Sequence, residues 1–352
     1  MKKEARRILV FNVNWLGDVI FTTPIFKALK KHDPQSHVAC LCVPRVREIC
    51  ECALYLDEVI VYDDKGRHRG LWGKVMLITE LHRRKFDCVY ILHRSWTRAL
   101  LMFLAGIPRR VGYDTKGRGW LLTRRIALPE PGRHRSDDYL HVLEADGVPV
   151  EDRRCELRVD PGADGEIQKI LKAEGVGDHD FPVVVHVGAN WDLKRWPKEY
   201  FAELIRRLKR DLAVRAIIPG ASRDRALAEA IADESGVHPV VLTGKTNLKQ
   251  LMALMNRAKI VISADSGPMH IAHSVGAIVI ALFGPTRPEI TGPRGKGQGV
   301  VLQKDIVCNQ DPCYNLTCPD NRCMSAITVG EVLAAAKTLM DNMAHNPPKE
   351  TT

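Results

Sequence analysis

Lys259-Ile260-Val261-Ile262-Ser263-Ala264-Asp265-Ser266-Gly267-Pro268-Met269-His270 reads as a buried strand that ends in Asp-Ser-Gly. It turns at once into a helix, continued by Ile271-Ala272-His273-Ser274-Val275. A strand that stops in this way aims the unpaired backbone N–H groups of the helix start outward, along the positive end of the helix dipole. That arrangement suits a phosphate. Ser266 adds a hydroxyl, and Gly267 lets a bulky anion approach the backbone. The same residues also fit an ordinary helix start with Asp or Ser at the N-cap.

Outward from this segment, apolar runs alternate with helical patterns. Upstream lie the strands Val183–Val187, Val214–Ile218 and Pro239–Leu242, each followed by a helix, and downstream lies Ile278–Phe283. The first half repeats the style with strands Ile8–Phe11, Val38–Val43, Glu58–Tyr62, Asp87–Leu92 and Arg110–Tyr113. Strands apolar throughout, interleaved with helices, imply parallel sheets covered on both faces. The stretch 148–163 is richer in Pro, Gly and charge and reads as a linker. The expected fold class is therefore α/β, with two Rossmann-like, doubly wound domains facing across a cleft. Their bounds are 1–155 and 164–327, followed by a C-terminal helix 328–343 and a frayed tail 344–352. Ligands bind such sheets at the C-terminal ends of their strands.

Composition narrows the partners. At 352 residues, with 45% hydrophobic and 27% charged residues, the chain is a two-domain globular protein. No apolar run approaches the ~20 residues that span a bilayer, and Met1–Arg7 leads into a strand rather than a secretory signal, so a cytoplasmic location is expected. The net charge of +10 is uneven. Residues 1–150 carry 26 Lys and Arg against 17 Asp and Glu, whereas residues 151–352 carry 26 against 25. A basic first half attracts something acidic: nucleic acid, an anionic membrane or a phosphorylated substrate. No nucleic-acid motif accompanies the charge, so nucleic acid is not an expected partner. Six of the ten cysteines sit among apolar residues. Cys308, Cys313, Cys318 and Cys323 step by five, which matches the C-x₂₋₄-C pairs of structural zinc sites only loosely. No metal is expected, and these four are the candidates should one bind.

Three further turns carry chemistry. Asn12-Val13-Asn14-Trp15-Leu16-Gly17-Asp18 lacks the G-x-G-x-x-G of a dinucleotide site. Asp18 instead offers either a general base for a hydroxyl or a simple complement to the helix dipole. In Gly188–Pro197, Lys194 and Arg195 precede a helix opened by Pro197; cations there oppose the dipole unless an anion lies between, although two solvated charges fit the spacing equally. Trp196 reads as core or hinge. Thr246 ends another strand on the ligand side.

Together these residues resemble glycosyltransferase family 9, the lipopolysaccharide heptosyltransferases. The carrying segments are Asn14–Asp18, Ala105–Arg110, Gly188-Ala189-Asn190, Lys194–Pro197, Asp265–His270 and Phe283-Gly284-Pro285-Thr286. The resemblance implies a GT-B fold. It also implies inverting transfer of L-glycero-D-manno-heptose from ADP-heptose, a donor substrate rather than a cofactor, to the acidic inner core of lipopolysaccharide. Asp18 would be the base. Lys194, Asp265, Ser266, Gly267, Pro268, His270, Asn190 and Thr246 would bind the donor, and Arg94, Arg98, Arg133, His134 and Arg135 are acceptor candidates. No cofactor is implied, and the enzyme would sit peripherally on the cytoplasmic face of the inner membrane. Another family-9 donor or acceptor, or a non-catalytic binding protein on the same fold, is the alternative.

Overall fold

In a computed structural model the chain forms two compact units, one running to Arg158 and the other from Val159. The structure describes residues 5–177, 182–306, 308, 313, 315, 318 and 320–345.

The first unit holds strands β1 (Arg7–Phe11), β2 (His37–Cys42), β3 (Glu58–Val61), β4 (Cys88–Ile91), β5 (Arg109–Tyr113) and β6 (Arg124–Ile126). Its helices are α1 (Leu16–Phe21), α2 (Thr23–His32), α3 (Arg47–Glu51), α4 (Gly70–Arg83), α5 (Trp96–Leu104) and α6 (Arg135–Glu144). The second unit holds β7 (Val183–His186), β8 (Ala216–Ile218), β9 (Val240–Val241), β10 (Ile260–Ala264), β11 (Val279–Phe283) and β12 (Gly299–Gln303). Its helices are α7 (Pro161–Ala173), α8 (Lys198–Leu212), α9 (Arg225–Ser235), α10 (Leu248–Arg257), α11 (Gly267–Val275), α12 (Pro288–Thr291), α13 (Arg322–Ser325) and α14 (Val329–His345).

Both sheets are parallel, ordered β3-β2-β1-β4-β5-β6 and β12-β11-β10-β7-β8-β9. Each unit thus runs 3-2-1-4-5-6 in its own strand count, the doubly wound order with one switch point. That point falls between β1 and β4 in the first unit and between β7 and β10 in the second. The central strands are buried on both faces, fully so from Leu9 to Phe11 and from Val183 to Val185. The expected α/β doubly wound class is what the structure shows.

Local departures have physical causes. Between β1 and β2 the chain forms two helices rather than one, because it breaks at Thr22 and Pro24 sits in the first turn of the second. Helix α7 opens inside the stretch expected as linker: Pro161 presets its first turn and the Asp160 carboxylate accepts from the Ala163 N–H at 2.9 Å. Strand β6, Arg-Arg-Ile, is an exposed edge strand and lacks the apolar signature by which strands are read. The expected fraying of the tail concerns 344–352, of which 346–352 lie outside the described residues. Trp196 is core: its indole N–H donates to the Ile327 carbonyl at 2.8 Å, and its ring meets Tyr200 and Phe201 edge-on.

Candidate functional site

Each switch point carries a cluster of polar side chains. In the first unit the turn after β1 delivers Asp18 to the first turn of α1, and the loop after β4 delivers His93 and Arg94 beside it. A pocket of about 240 Å³ opens here, lined by Val13, Asn14, Trp15, Asp18, His93, Arg94, Tyr113, Arg135, Asp138 and Tyr139 among others. The Asp18 carboxylate accepts a hydrogen bond from the Tyr139 hydroxyl. Burial pushes that hydroxyl far above its ordinary pKa, and the neighbouring Asp18 charge adds to the push. Tyr139 therefore stays protonated and keeps donating.

Two arginines brace the turn. Arg98, buried, donates to the Asn12 carbonyl and to Asn14 Oδ1, both at 2.6 Å, with its guanidinium 4.6 Å from the Phe11 ring centre. Arg45 donates to the Asn14 carbonyl at 2.8 Å and covers Trp15. A third, Arg118, is fully buried and clamps three carbonyls: Tyr113 at 2.9 Å, His93 at 2.6 Å and Ser95 at 3.2 Å. Burial lowers Arg98 and Arg118 each to about 10, so both remain cations. Burial, with Arg98, Arg118 and Lys116, drives His93 down to about 4, so its ring is neutral.

Among the acceptor candidates, Arg94 and Arg135 line this pocket. The Arg98 guanidinium is engaged by the turn, on the Asn12 carbonyl and Asn14 Oδ1. His134 is buried, caps α6 by accepting from the Ser136 N–H at 3.2 Å, and meets Phe21 edge-on. Arg133 acts on Tyr113 and Asp138 through its charge. Sequence reading missed Tyr139, His93 and Arg118. Of these only Tyr139 left a trace, four residues after Arg135 and hence on the same helix face.

In the second unit the loop after β7 and the end of β10 converge. Lys194 donates to Asp265 Oδ2 at 2.6 Å. The same oxygen accepts from Thr286 Oγ1 at 2.7 Å and Thr291 Oγ1 at 3.2 Å, while His270 Nε2 stands 3.6 Å from Oδ1. Burial pulls the Asp265 carboxyl upward, but His270 and the Lys194 ammonium outweigh it and hold it well below the usual carboxylate range. Asp265 is thus a buried hub that aims Lys194. His270, equally buried, serves that hub.

Ser266 is the N-cap of α11 in extended conformation, its hydroxyl 3.0 Å from Ser263 Oγ. Ser263 Oγ in turn lies 3.2 Å from Nδ1 of His186, a ring that burial drives to about 4. Gly267 and Pro268 form the first turn. Pro268 has no N–H to offer, so its part is to preset the backbone there. Arg195 departs from the expected anion cradle: it reaches Asp224 at 3.3 Å and Asp192 at 2.8 Å. Its balancing anions are the protein's own carboxylates. A Cβ at Gly188 would lie 2.7 Å from Asp224 Oδ2, so a larger residue there would displace that carboxylate. Asn190, exposed, accepts from Arg223 at 2.6 Å. Thr246 follows edge strand β9, two strands from β7, apart from the Lys194–Asp265 group. Thr291, a member of that group, was not foreseen; it comes from a four-residue helix without sequence signal.

Among the described residues, no group of three or more His, Cys, Asp or Glu is placed to hold a metal. Cys313, Cys318 and Cys323 are half-buried thiols, and Cys308 is exposed.

Residues 75–321 match glycosyltransferase family 9 (heptosyltransferase). The chain belongs to that family and is a glycosyltransferase. It is 25% identical to the lipopolysaccharide heptosyltransferase 2 of Escherichia coli K12 over 300 residues, covering 82% of this chain and 85% of that one. A family-9 glycosyl transferase structure from Veillonella parvula superposes with a TM-score of 0.86 at 28% identity, covering 97% of this chain and 99% of the other. The structure of E. coli ADP-heptose LPS heptosyltransferase II does so at 0.80 and 22%, covering 96% and 99%. The fold is therefore GT-B.

Proposed function

We propose that this chain is an inverting heptosyltransferase of type II, moving L-glycero-D-manno-heptose from ADP-heptose to the inner core of lipopolysaccharide. The observation that carries the reading is a division of charge: the first unit's switch point presents a hydrogen-bonded carboxylate among cations, and the second's presents an aimed ammonium beside a helix N-terminus. The E. coli relative, named for ADP-heptose and the same transfer, supports donor and acceptor.

In this scheme an acceptor hydroxyl attacks the anomeric carbon as the bond from that carbon to the ADP oxygen breaks. Asp18 takes the hydroxyl proton. The sugar passes through an oxocarbenium-like state. Charge growing on ADP meets Lys194 and the Gly267 and Met269 N–H groups, which by helix geometry lack intrahelical acceptors. The scheme uses no metal and no cofactor. Arg94 and Arg135 face the anionic acceptor. The enzyme works peripherally at the cytoplasmic face of the inner membrane, a reading supported by the lipid-borne acceptor and the basic first half of the chain; no helix among the described residues is long and apolar enough to cross a bilayer.

The test is release of ADP from ADP-heptose in the presence of a heptose-bearing core acceptor, with and without EDTA, against UDP- and GDP-sugars. Acceptor-dependent ADP release that survives EDTA is expected. Release only from another nucleotide sugar overturns the donor. ADP binding without release from any donor makes the chain a binding protein, and loss in EDTA restored by magnesium overturns the metal-free scheme.

A further inference from the structure

Helix α4 is amphipathic in an unusual sense. Its inward side is Gly73, Leu77 and Leu81, all buried. Its opposite side, over the first two turns, is also apolar: Leu71 is 77% exposed, Trp72 82%, Val75 42% and Met76 48%. These four are linked by the helix-neighbour steps of three (Trp72–Val75) and four (Leu71–Val75, Trp72–Met76), so they form one continuous outward face. A soluble surface rarely groups such side chains, whereas scattered single ones need no explanation.

The segment leading into the helix supplies the second half of the pattern. The Asp63 carboxylate accepts from the Gly66 N–H at 2.9 Å and the Arg67 N–H at 3.2 Å, and the His68 N–H donates to the Asp63 carbonyl at 2.7 Å. This folded turn presents Lys65, Arg67 and Arg69, all exposed, beside the apolar face, and Lys74, half-exposed, flanks it. The acids nearby are few: Asp63 is engaged in the turn, Glu80 is bound by Arg84 at 2.9 Å, and Asp64 is exposed. An apolar helix face with an interfacial tryptophan, flanked by cations, has the chemistry of a helix lying in an anionic headgroup layer. A protein partner would need no such surplus of one sign.

Topology gives the surface its use. In a parallel sheet each helix begins at the C-terminal edge of the strand before it. The first turns of α4 therefore stand at the edge of the sheet where Asp18, His93 and Arg94 line the pocket.

We propose that Leu71, Trp72, Val75 and Met76, with Lys65, Arg67 and Arg69, dock this unit on an anionic phospholipid bilayer, at the edge of the sheet where the pocket accepts a membrane-borne substrate. The inference rests on the proposed lipopolysaccharide acceptor for its purpose, although not for its physical test.

The experiment uses the full chain and sedimentation with vesicles of phosphatidylethanolamine and phosphatidylglycerol, against vesicles of phosphatidylcholine alone. The wild-type chain sediments with the anionic vesicles and is released by salt. Leu71→Ser/Trp72→Ser lowers partitioning about tenfold, since fully exposed side chains are removed without touching the core. Lys65→Ala/Arg67→Ala/Arg69→Ala lowers it by about a hundredfold, on the basis of about fivefold per basic residue. Equal partitioning of wild type and variants overturns the proposal. So does a concentration-dependent dimer, seen by sedimentation velocity without lipid, that the serine variant abolishes, because the face would then join two copies.

Transfer to a delipidated core oligosaccharide separates this proposal from the functional one. The serine variant keeps wild-type rates on that soluble acceptor and loses rate on vesicle-borne acceptor. A chain that binds vesicles through α4 yet transfers to neither acceptor sinks the acceptor assignment and leaves the docking surface standing.

Discussion

Asp18 and Asp265 are both carboxylates at a strand end, and their surroundings assign them opposite work. Asp18 faces a pocket and is held by a neutral hydroxyl; Asp265 is buried and saturated by Lys194, Thr286, Thr291 and His270. Asp18→Asn is expected to lower kcat by roughly 10²–10⁴, the span of general-base contributions, with ADP affinity by calorimetry unchanged. Tyr139→Phe removes a hydrogen bond to the ionised carboxylate. The Asp18 pKa then rises, so the acid limb of the pH–rate profile moves to higher pH while the donor KM stays put; an unmoved limb assigns Tyr139 to packing alone. Lys194→Ala removes a charged contact to the leaving group and is expected to weaken ADP binding by about 10- to 100-fold in calorimetry. Unchanged affinity would place the phosphates elsewhere. Asp18, Lys194 and Asp265 were legible as candidates because each lies in a segment that follows a central strand. Tyr139 showed only its helix-face spacing from Arg135, and Arg118 nothing, because the contacts to Asp18, His93 and Ser95 are made by tertiary packing.

At the scale of elements, helix ends decide what is presented. Helix α11 begins with an extended Ser266 and ends at Gly276 in the left-handed region, so its N-terminal N–H groups sit at the switch point and its C-terminus closes tightly. Helix α8 ends less comfortably, since its C-cap Ala213 adopts φ 53°, where a Cβ is penalised. Ala213→Gly is expected to stabilise by about 0.5–1 kcal/mol, read as a higher Tm with activity unchanged. Strands β1, β4, β7 and β10 were readable because both faces are buried and each carries a run of at least three apolar residues. Edge strand β6 and helix α7 were not, because one is charged and the other starts in a stretch whose Pro, Gly and Asp also fit a linker.

For the whole molecule, buried ionisable groups set the response to acid. His186 is neutral in the native state with a pKa near 4, against about 6.5 when unfolded, so unfolding takes up a proton. Its contribution to stability is complete above pH 6.5 and lost progressively between 6.5 and 4, about 2 kcal/mol by pH 5. His273, also near 4 through burial and the neighbouring His270, adds in the same direction. The depressed Asp265 extends the loss as pH falls below about 4. Urea midpoints are expected to be flat from pH 7 to 8 and to fall by pH 5; a midpoint unchanged at pH 5 would mean that these histidines are solvated.

By itself the sequence determined the fold class, the two-part plan and the residues that end each central strand, because periodicity and turn chemistry are local and survive in one dimension. Only the tertiary structure decided which polar groups meet. Arg98 and His134 read alike in sequence as exposed polar residues, and folding sets one on the β1 turn and the other at the α6 cap. Arg195 is claimed by Asp224, a residue 29 positions away. The exposed tryptophan face of α4 has the same apolar letters as a core helix, and only folding shows which side of that helix is left facing water.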